Sequence, residues 1–128
     1  GSGGGLPGLV VAVDLPDERI DLLDASARRC AVLRDAVRRL GVGDRVRVLE
    51  GRAEDLAWRD DLRGAYGAVI SRSFGPPAVT AECAVGFLRP GSVLLVSEPE
   101  GDHDRWPAAD RSDGPSVGFA RNRLPDRP

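Results

Sequence analysis

Gly-Ser-Gly-Gly-Gly-Leu-Pro-Gly, residues 1–8, places five glycines in eight positions. Glycine has no side chain to bury, so this stretch predicts a turn whose backbone adopts positive φ or passes close to a neighbour. The apolar run at residues 9–13 follows directly, and we expect a first helix over about residues 6–14. A glycine turn that opens a helix presents free backbone N–H groups, which suit an anionic or nucleotide-like ligand.

A short apolar stretch that ends in an acid comes next. Residues 20–24, Ile-Asp-Leu-Leu-Asp, predict a buried strand ending at Asp24. Glycine turn, helix, strand and terminal acid occur in this order in nucleoside-binding α/β half-domains, where the acid binds the ribose diol. The alternative role for Asp24 is helix capping, because Ser26 just after it is a good N-cap for the next helix.

The glycines fit two different cofactor patterns. Gly3, Gly5 and Gly8 match G-x-G-x-x-G, the dinucleotide pattern, while Gly1, Gly3 and Gly5 match G-x-G-x-G, the loop of S-adenosyl-L-methionine (SAM) enzymes. The glycine pattern alone does not distinguish a dinucleotide site from a SAM site. A plain glycine-rich loop without either site is the third possibility. No later residues supply a hydride-transfer site, so a NAD-dependent oxidoreductase is the less favoured alternative.

Strands and helices are expected to alternate along the body of the chain. Apolar periodicity predicts strands at 19–23, 45–50, 65–71 and 92–97, and helices at 26–40 and 75–88, with a loop that enters a short helix at 51–56. This order is typical of an α/β protein with a doubly wound, mostly parallel sheet. In such a sheet the glycine turn follows the first strand, so we expect a sheet with its first strand missing. We expect residues 1–98 to form this core, and residues 99–128 to be a polar tail, partly disordered or carrying a short terminal strand.

Composition narrows the class of protein. The 128 residues carry a net charge of −2, so any contact with nucleic acid must be local. No apolar run is long enough to span a bilayer and no signal peptide is visible, which favours a cytoplasmic protein without a membrane partner. Cys30 and Cys83 lie in apolar helical patterns and are expected to be reduced core residues. His103 stands alone among polar residues, so no metal site is expected.

Ligands of open α/β sheets bind at the carboxyl ends of the strands. Ala53 and Glu54 follow the second predicted strand, where a small residue would leave room for an adenine ring. Helix capping is the alternative role for Glu54. Arg72 ends the third predicted strand, and an unpaired buried arginine is costly. We therefore expect Arg72 to meet either an acid such as Glu54 or the ligand.

Four blocks of sequence point to one family: Gly-Ser-Gly-Gly-Gly-Leu-Pro-Gly, Leu-Leu-Asp-Ala-Ser, Gly-Arg-Ala-Glu-Asp and Ile-Ser-Arg-Ser-Phe. In their order and spacing over residues 1–97 they resemble the bacterial small-subunit rRNA guanine-N7 methyltransferases, also called glucose-inhibited division protein B. The resemblance implies a class I SAM-dependent methyltransferase (Rossmann-like) fold and an N-terminally truncated relative of that family. It also implies SAM as cofactor, with a contacting set of Gly1, Gly3, Leu6, Asp24, Ala25, Ser26, Ala53, Glu54 and Arg72.

The same resemblance implies methylation of N7 of a guanine in 16S rRNA, with the small ribosomal subunit as partner and a monomeric enzyme. Guanine N7 carries an in-plane lone pair, so no general base is needed and no catalytic side chain is expected; holding the reactants in line is sufficient. Residues 97–101 read Ser-Glu-Pro-Glu-Gly, acidic where the family carries a Lys-Gly pair. A non-catalytic remnant of the fold is therefore the alternative function.

Overall fold

The computed structural model describes residues 1–97, which form four helices and four strands. The tail predicted at residues 99–128, with its short strand, lies outside the described residues. In chain order the elements are α1 (Gly8–Asp14), β1 (Ile20–Asp24), α2 (Ala27–Arg39), β2 (Val46–Glu50), α3 (Ala53–Leu56), β3 (Tyr66–Arg72), α4 (Pro77–Val85) and β4 (Leu88–Ser97).

The strands form two parallel pairs. β1 pairs with β2, with Leu22 opposite Val48, and β3 pairs with β4, with Ile70 opposite Leu95. Parallel strands joined through helices confirm the predicted α/β class. Within residues 1–97 the two pairs are not hydrogen-bonded into one sheet. In a doubly wound sheet the strand before the glycine turn lies between these two halves.

Asp21 connects the two pairs of strands. Its carboxylate accepts two hydrogen bonds from Arg47, at 2.8 and 2.6 Å, across the β1–β2 pair. The hydroxyl of Tyr66, the first residue of β3, donates to the same carboxylate. Burial raises the pKa of Asp21, but the hydrogen bonds from Arg47 and Tyr66 outweigh it, and the pKa lies below its ordinary value. Hydrogen bonds to the ionised carboxylate of Asp21 thus link β1, β2 and β3.

The β1–β2 pair is covered on both faces. On one face α1 and α2 enclose a cluster that includes Ala12, Leu22, Leu33 and Val46. On the other face Leu23 and Leu49 pack against a second cluster, built on α3 and the segment before β3 and closed by residues of β3 and α4. These clusters are the hydrophobic core, and they hold the carboxyl ends of β1 and β2 side by side.

The boundaries of α2 agree with its sequence signals. Ser26 is the N-cap, and its side chain accepts a hydrogen bond from Arg29 N–H at 3.3 Å. Gly41 follows the last turn with φ +67°, a left-handed conformation that glycine adopts without strain. Cys30, Leu33 and Val37 of α2 are buried, whereas Leu40, at the end of the predicted helix, is 48% exposed.

The boundary between α4 and β4 differs from the prediction. We expected a helix to residue 88 and a turn at residues 90–91, but α4 ends at Val85 and β4 begins at Leu88. Phe87 is buried in the second cluster, and its carbonyl accepts a hydrogen bond from Tyr66 N–H. Packing of this ring draws the chain alongside β3 early, and residues 90–91 lie at a register shift within the strand.

One face of the β3–β4 pair is open. Ala68, Ile70, Val93 and Leu95 lie on it, and the last three are 40–48% exposed. Val69 points the other way, into the second cluster. Side chains alternate between the two faces of a strand, so Arg72 lies on the open face together with Ile70.

Candidate functional site

The glycine turn and Asp24 are bound to each other. The N–H of Gly3 donates to Asp24 Oδ2 at 2.9 Å, and the N–H of Ser26 donates to Oδ1 at 2.9 Å. The N–H of Ser2 donates to the carbonyl of Leu23 at 2.6 Å, on the edge of β1 that faces away from β2. Asp24 is 2% exposed. The turn, the end of β1 and the start of α2 therefore form one unit centred on a buried carboxylate.

Two positions in the turn have no space for a side chain. A Cβ on Gly1 would overlap Asp24 Oδ2, and a Cβ on Gly5 would overlap the side chain of Leu9. Gly5 also has φ +94°, which an L-residue with a side chain rarely adopts. The glycines predicted to be needed for close approach are needed here, because the backbone passes directly against the acid and against α1.

The pKa of Asp24 reflects this environment. Burial raises the pKa of the carboxyl, but the hydrogen bonds from Ser26 and Gly3 N–H stabilise the ionised form, and the net pKa lies below the ordinary value. The charge of Arg29, whose Nη1 lies 3.9 Å from Oδ2, acts in the same direction. Asp24 is therefore a charged group at neutral pH and an acceptor of hydrogen bonds.

Acid is expected to destabilise the chain through Asp21 and Asp24. Both carboxyls have a pKa in the folded state below their ordinary value, so below about pH 5 the unfolded chain binds more protons. Their stabilisation is present above that range and is lost as the pH falls through the folded pKa values. We expect the urea midpoint to fall between about pH 6 and about pH 3, and Asp21→Asn to make the fall shallower. A midpoint that stays constant would contradict these roles.

Ala53 and Glu54 lie at the neighbouring strand end. The N–H of Gly51 donates to the carbonyl of Asp24 at 3.0 Å, which joins the ends of β1 and β2 and sets α3 beside them. Ala53 is buried, and Glu54 is exposed with an ion pair to Arg52 at 2.6 Å. The sequence thus correctly predicted that these residues share an edge with Asp24.

The expected pairing of Arg72 with Glu54 is wrong. Arg72 is exposed on the open face of β3, whereas α3 packs on the opposite face, so the two side chains lie on different sides of the strand. Glu54 instead pairs with Arg52, two residues earlier in the chain. Of the other predicted site residues, Ser26 contacts Asp24, while Leu6 and Ala25 are exposed. Where each would contact a ligand stays a prediction.

Two further polar groups are outside the predicted contacting set. Burial raises the pKa of the Cys83 thiol on α4, which was expected in the core and packs against the second cluster. The hydroxyl of Ser71, near the end of β3, is buried without a hydrogen-bond partner among the described residues.

Parallel strands connected by helices, with a glycine turn bound to the acid that ends the next strand, define a Rossmann-like class I methyltransferase fold. Two solved structures are similar. One is a protein of Galdieria sulphuraria described as a sarcosine dimethylglycine methyltransferase, with TM-score 0.60 and 20% identity over 75% of this chain and 36% of that chain. The other is the cyclase SpnF, with TM-score 0.59 and 25% identity over 80% of this chain and 40% of that chain.

The chain belongs to the GidB family, rRNA small subunit methyltransferase G, whose family model matches residues 1–113. Proteins named ribosomal RNA small subunit methyltransferase G are similar to it. That of Parasynechococcus marenigrum is 39% identical over 81% of this chain and 42% of its own length. Those of Frankia casuarinae and Mycobacterium leprae are each 38% identical, over 75% and 78% of this chain and 36% and 40% of their own lengths. The chain thus spans about two fifths of the length of these relatives.

Proposed function

We propose that this chain carries the cofactor site of an enzyme that transfers a methyl group from SAM to N7 of a guanine in 16S rRNA of the small ribosomal subunit. The observation that carries the proposal is the hydrogen bond from Gly3 N–H to Asp24 at the end of a buried strand. It fixes a side-chain-free turn beside an ionised acid, the arrangement in which Rossmann-like proteins bind an adenosyl or nucleotidyl group. Membership of the GidB family supports the choice of SAM and rRNA.

Asp24 has the chemistry that a ribose diol requires. A carboxylate offers about four acceptor sites, and backbone N–H groups occupy two of them here. The remaining acceptor sites would receive the ribose hydroxyls. Gly3 has open space beside its Cα, whereas any side chain at position 1 would overlap the carboxylate of Asp24.

The other proposed contacts surround this acid. Ala53 would leave space for the adenine ring, and the unpartnered hydroxyl of Ser71 is available to a ligand at the end of β3. The full proposed cofactor-contacting set is Gly1, Gly3, Leu6, Asp24, Ala25, Ser26, Ala53, Glu54 and Arg72. Arg72 would have to act from the open face of β3, where it lies.

The proposed reaction requires no proton transfer by the protein's own side chains. When bound, SAM supplies an activated methyl group on its sulfonium sulfur. Guanine N7 has a free lone pair, so no residue of the chain has to remove a proton. The turn and Asp24 would hold the methyl donor in one orientation. This makes an otherwise bimolecular step effectively unimolecular. We therefore propose no catalytic acid or base, and no metal; within residues 1–97 no three potential metal ligands lie together.

Calorimetric titration with S-adenosylhomocysteine and with NAD tests the cofactor assignment. We expect binding heat with S-adenosylhomocysteine and none with NAD, because the chain belongs to a family of methyltransferases. Binding of NAD alone would favour the oxidoreductase. A folded chain that binds neither would contradict the proposal and favour a non-catalytic remnant. Transfer of labelled methyl groups to small ribosomal subunits would then test the activity itself.

We also propose that the enzyme acts as a monomer in the cytoplasm, where ribosomal subunits are assembled. Among residues 1–97 no helix has the length and apolar character needed to cross a membrane. The overall net charge of −2 means that an rRNA contact would depend on a local cluster of arginines.

A further inference from the structure

An open depression of about 650 Å³ lies between the glycine turn and the beginning of α2. The residues that line it are Gly3, Gly4, Ser26, Arg28, Arg29 and Val32. The lining thus contains two arginines and no acidic residue. Gly3 and Gly4 have open space beside their Cα atoms, so nothing from the described chain fills the depression next to them.

This depression lies on the outer side of α2. Cys30, Leu33 and Val37 of the same helix are buried towards the strands, whereas Arg28, Arg29 and Val32 are exposed. The proposed cofactor contacts instead gather at the strand ends around Asp24. Gly3 and Ser26 belong both to the lining and to the proposed cofactor-contacting set, so the depression adjoins the cofactor site.

The positive charge of α2 is concentrated at this end. Farther along the helix, Arg34 pairs with Glu50, and both Arg38 and Arg39 pair with Asp35. Within residues 1–97, Arg28 has no ion pair, and Arg29 has only the long contact to Asp24. The least compensated guanidinium groups among these arginines, those of Arg28 and Arg29, thus lie beside the turn.

Helix energetics do not account for two arginines in this position. The first turn of a helix carries a partial positive charge, which favours acids there and disfavours cations. The first turn of α2 has no acid and has arginines at its second and third positions. An anion bound in the depression would reverse this unfavourable arrangement, because both guanidinium groups and the helix end would then face a negative charge.

We propose that Arg28 and Arg29 bind phosphate groups of the RNA substrate in this depression, on the outer side of the glycine turn. This inference rests on the proposed rRNA substrate. Arginine binds phosphate through paired N–H donors, and the open shape allows a continuous polymer to pass across the surface. Val32, 58% exposed, provides an apolar contact for a sugar ring between the phosphates.

The test measures binding of a fluorescein-labelled RNA of about 20 nucleotides by anisotropy, from about 50 to about 200 mM salt. The Arg28→Gln/Arg29→Gln double variant is expected to bind about tenfold more weakly and to reduce the slope of log K against log salt by about 1.4, since two phosphate contacts are lost. Arg38→Gln/Arg39→Gln is the matched control on the same helix, and its affinity is expected to stay within about twofold of the parent. Circular dichroism of both variants verifies that the helix is intact.

Titration with S-adenosylhomocysteine separates this inference from the proposed function. We expect Arg28→Gln to bind S-adenosylhomocysteine as the parent does while losing RNA affinity. Equal RNA binding by the parent and the double variant would overturn the inference, as would an equal loss in the control. A parent chain that binds S-adenosylhomocysteine but not RNA would also overturn it, and would leave the cofactor assignment in place. A loss of S-adenosylhomocysteine affinity alone would assign the arginines to the cofactor.

Discussion

Replacing Asp24 with alanine is expected to remove detectable binding of S-adenosylhomocysteine and to lower the free energy of unfolding by about 2–4 kcal/mol. The carboxylate is 2% exposed and accepts the N–H groups of both Gly3 and Ser26. Without it, two donors in a partly buried region lose their acceptor, and the turn loses its attachment to the end of β1. Calorimetric titration measures the first effect, and urea unfolding measures the second.

Two further variants distinguish the roles of Asp24. Asp24→Asn retains the size of the side chain but only one acceptor oxygen, so we expect intermediate stability and weakened binding. Asp17→Ala removes an exposed acid from the connection between α1 and β1 and is expected to change both quantities little. If Asp24→Ala remains folded and binds S-adenosylhomocysteine with the affinity of the parent, Asp24 has no role in the ribose site.

Replacing Gly5 with alanine is expected to destabilise the chain by about 2–4 kcal/mol, because two penalties combine. The backbone of Gly5 has φ +94°, and its added Cβ would overlap Leu9 and lie 3.1 Å from Leu33 Cδ2. Leu33 is fully buried in the first core cluster, so it has little freedom to move aside. Thermal unfolding of the variant measures the change.

The turn itself supplies the controls for Gly5. Gly4 has open space and an unexceptional φ, so Gly4→Ala is expected to change stability by less than about 0.5 kcal/mol. Gly3 has open space but φ +56°, so Gly3→Ala isolates the conformational penalty, about 1 kcal/mol. Equal melting temperatures for Gly4→Ala and Gly5→Ala would show that the turn accommodates a side chain at position 5. That result would contradict the rigid packing of the turn on α1 and α2.

The sequence predicted the elements well wherever local signals were strong. For α2, a serine cap, apolar residues at helical spacing and a terminal glycine all agreed, and the helix spans Ala27–Arg39. The acid at the end of β1 and its proximity to the glycine turn could also be predicted, because strand ends converge at one edge of a parallel sheet. These features depend on residues close together in the chain.

The errors concern choices that depend on packing between distant segments. Arg72 was expected to meet either an acid such as Glu54 or the ligand, and the pairing with Glu54 fails because the face on which Arg72 lies depends on where α3 packs. Glu54 had several possible partners, and Arg52 is nearest in the chain. The start of β4 was missed because burial of Phe87 against α3 and Leu62 overrides the turn signal at residues 90–91.

The arrangement of the strands in two separate pairs also bears on how the chain acquires its structure. Each pair closes through a single helix, so partners such as Asp21 and Arg47 are only 26 residues apart. The entropy lost on joining two points rises slowly with the length of chain between them, so we expect each pair to close at little entropic cost. The bond from Tyr66 to Asp21, 45 residues apart, and the second cluster join the two halves.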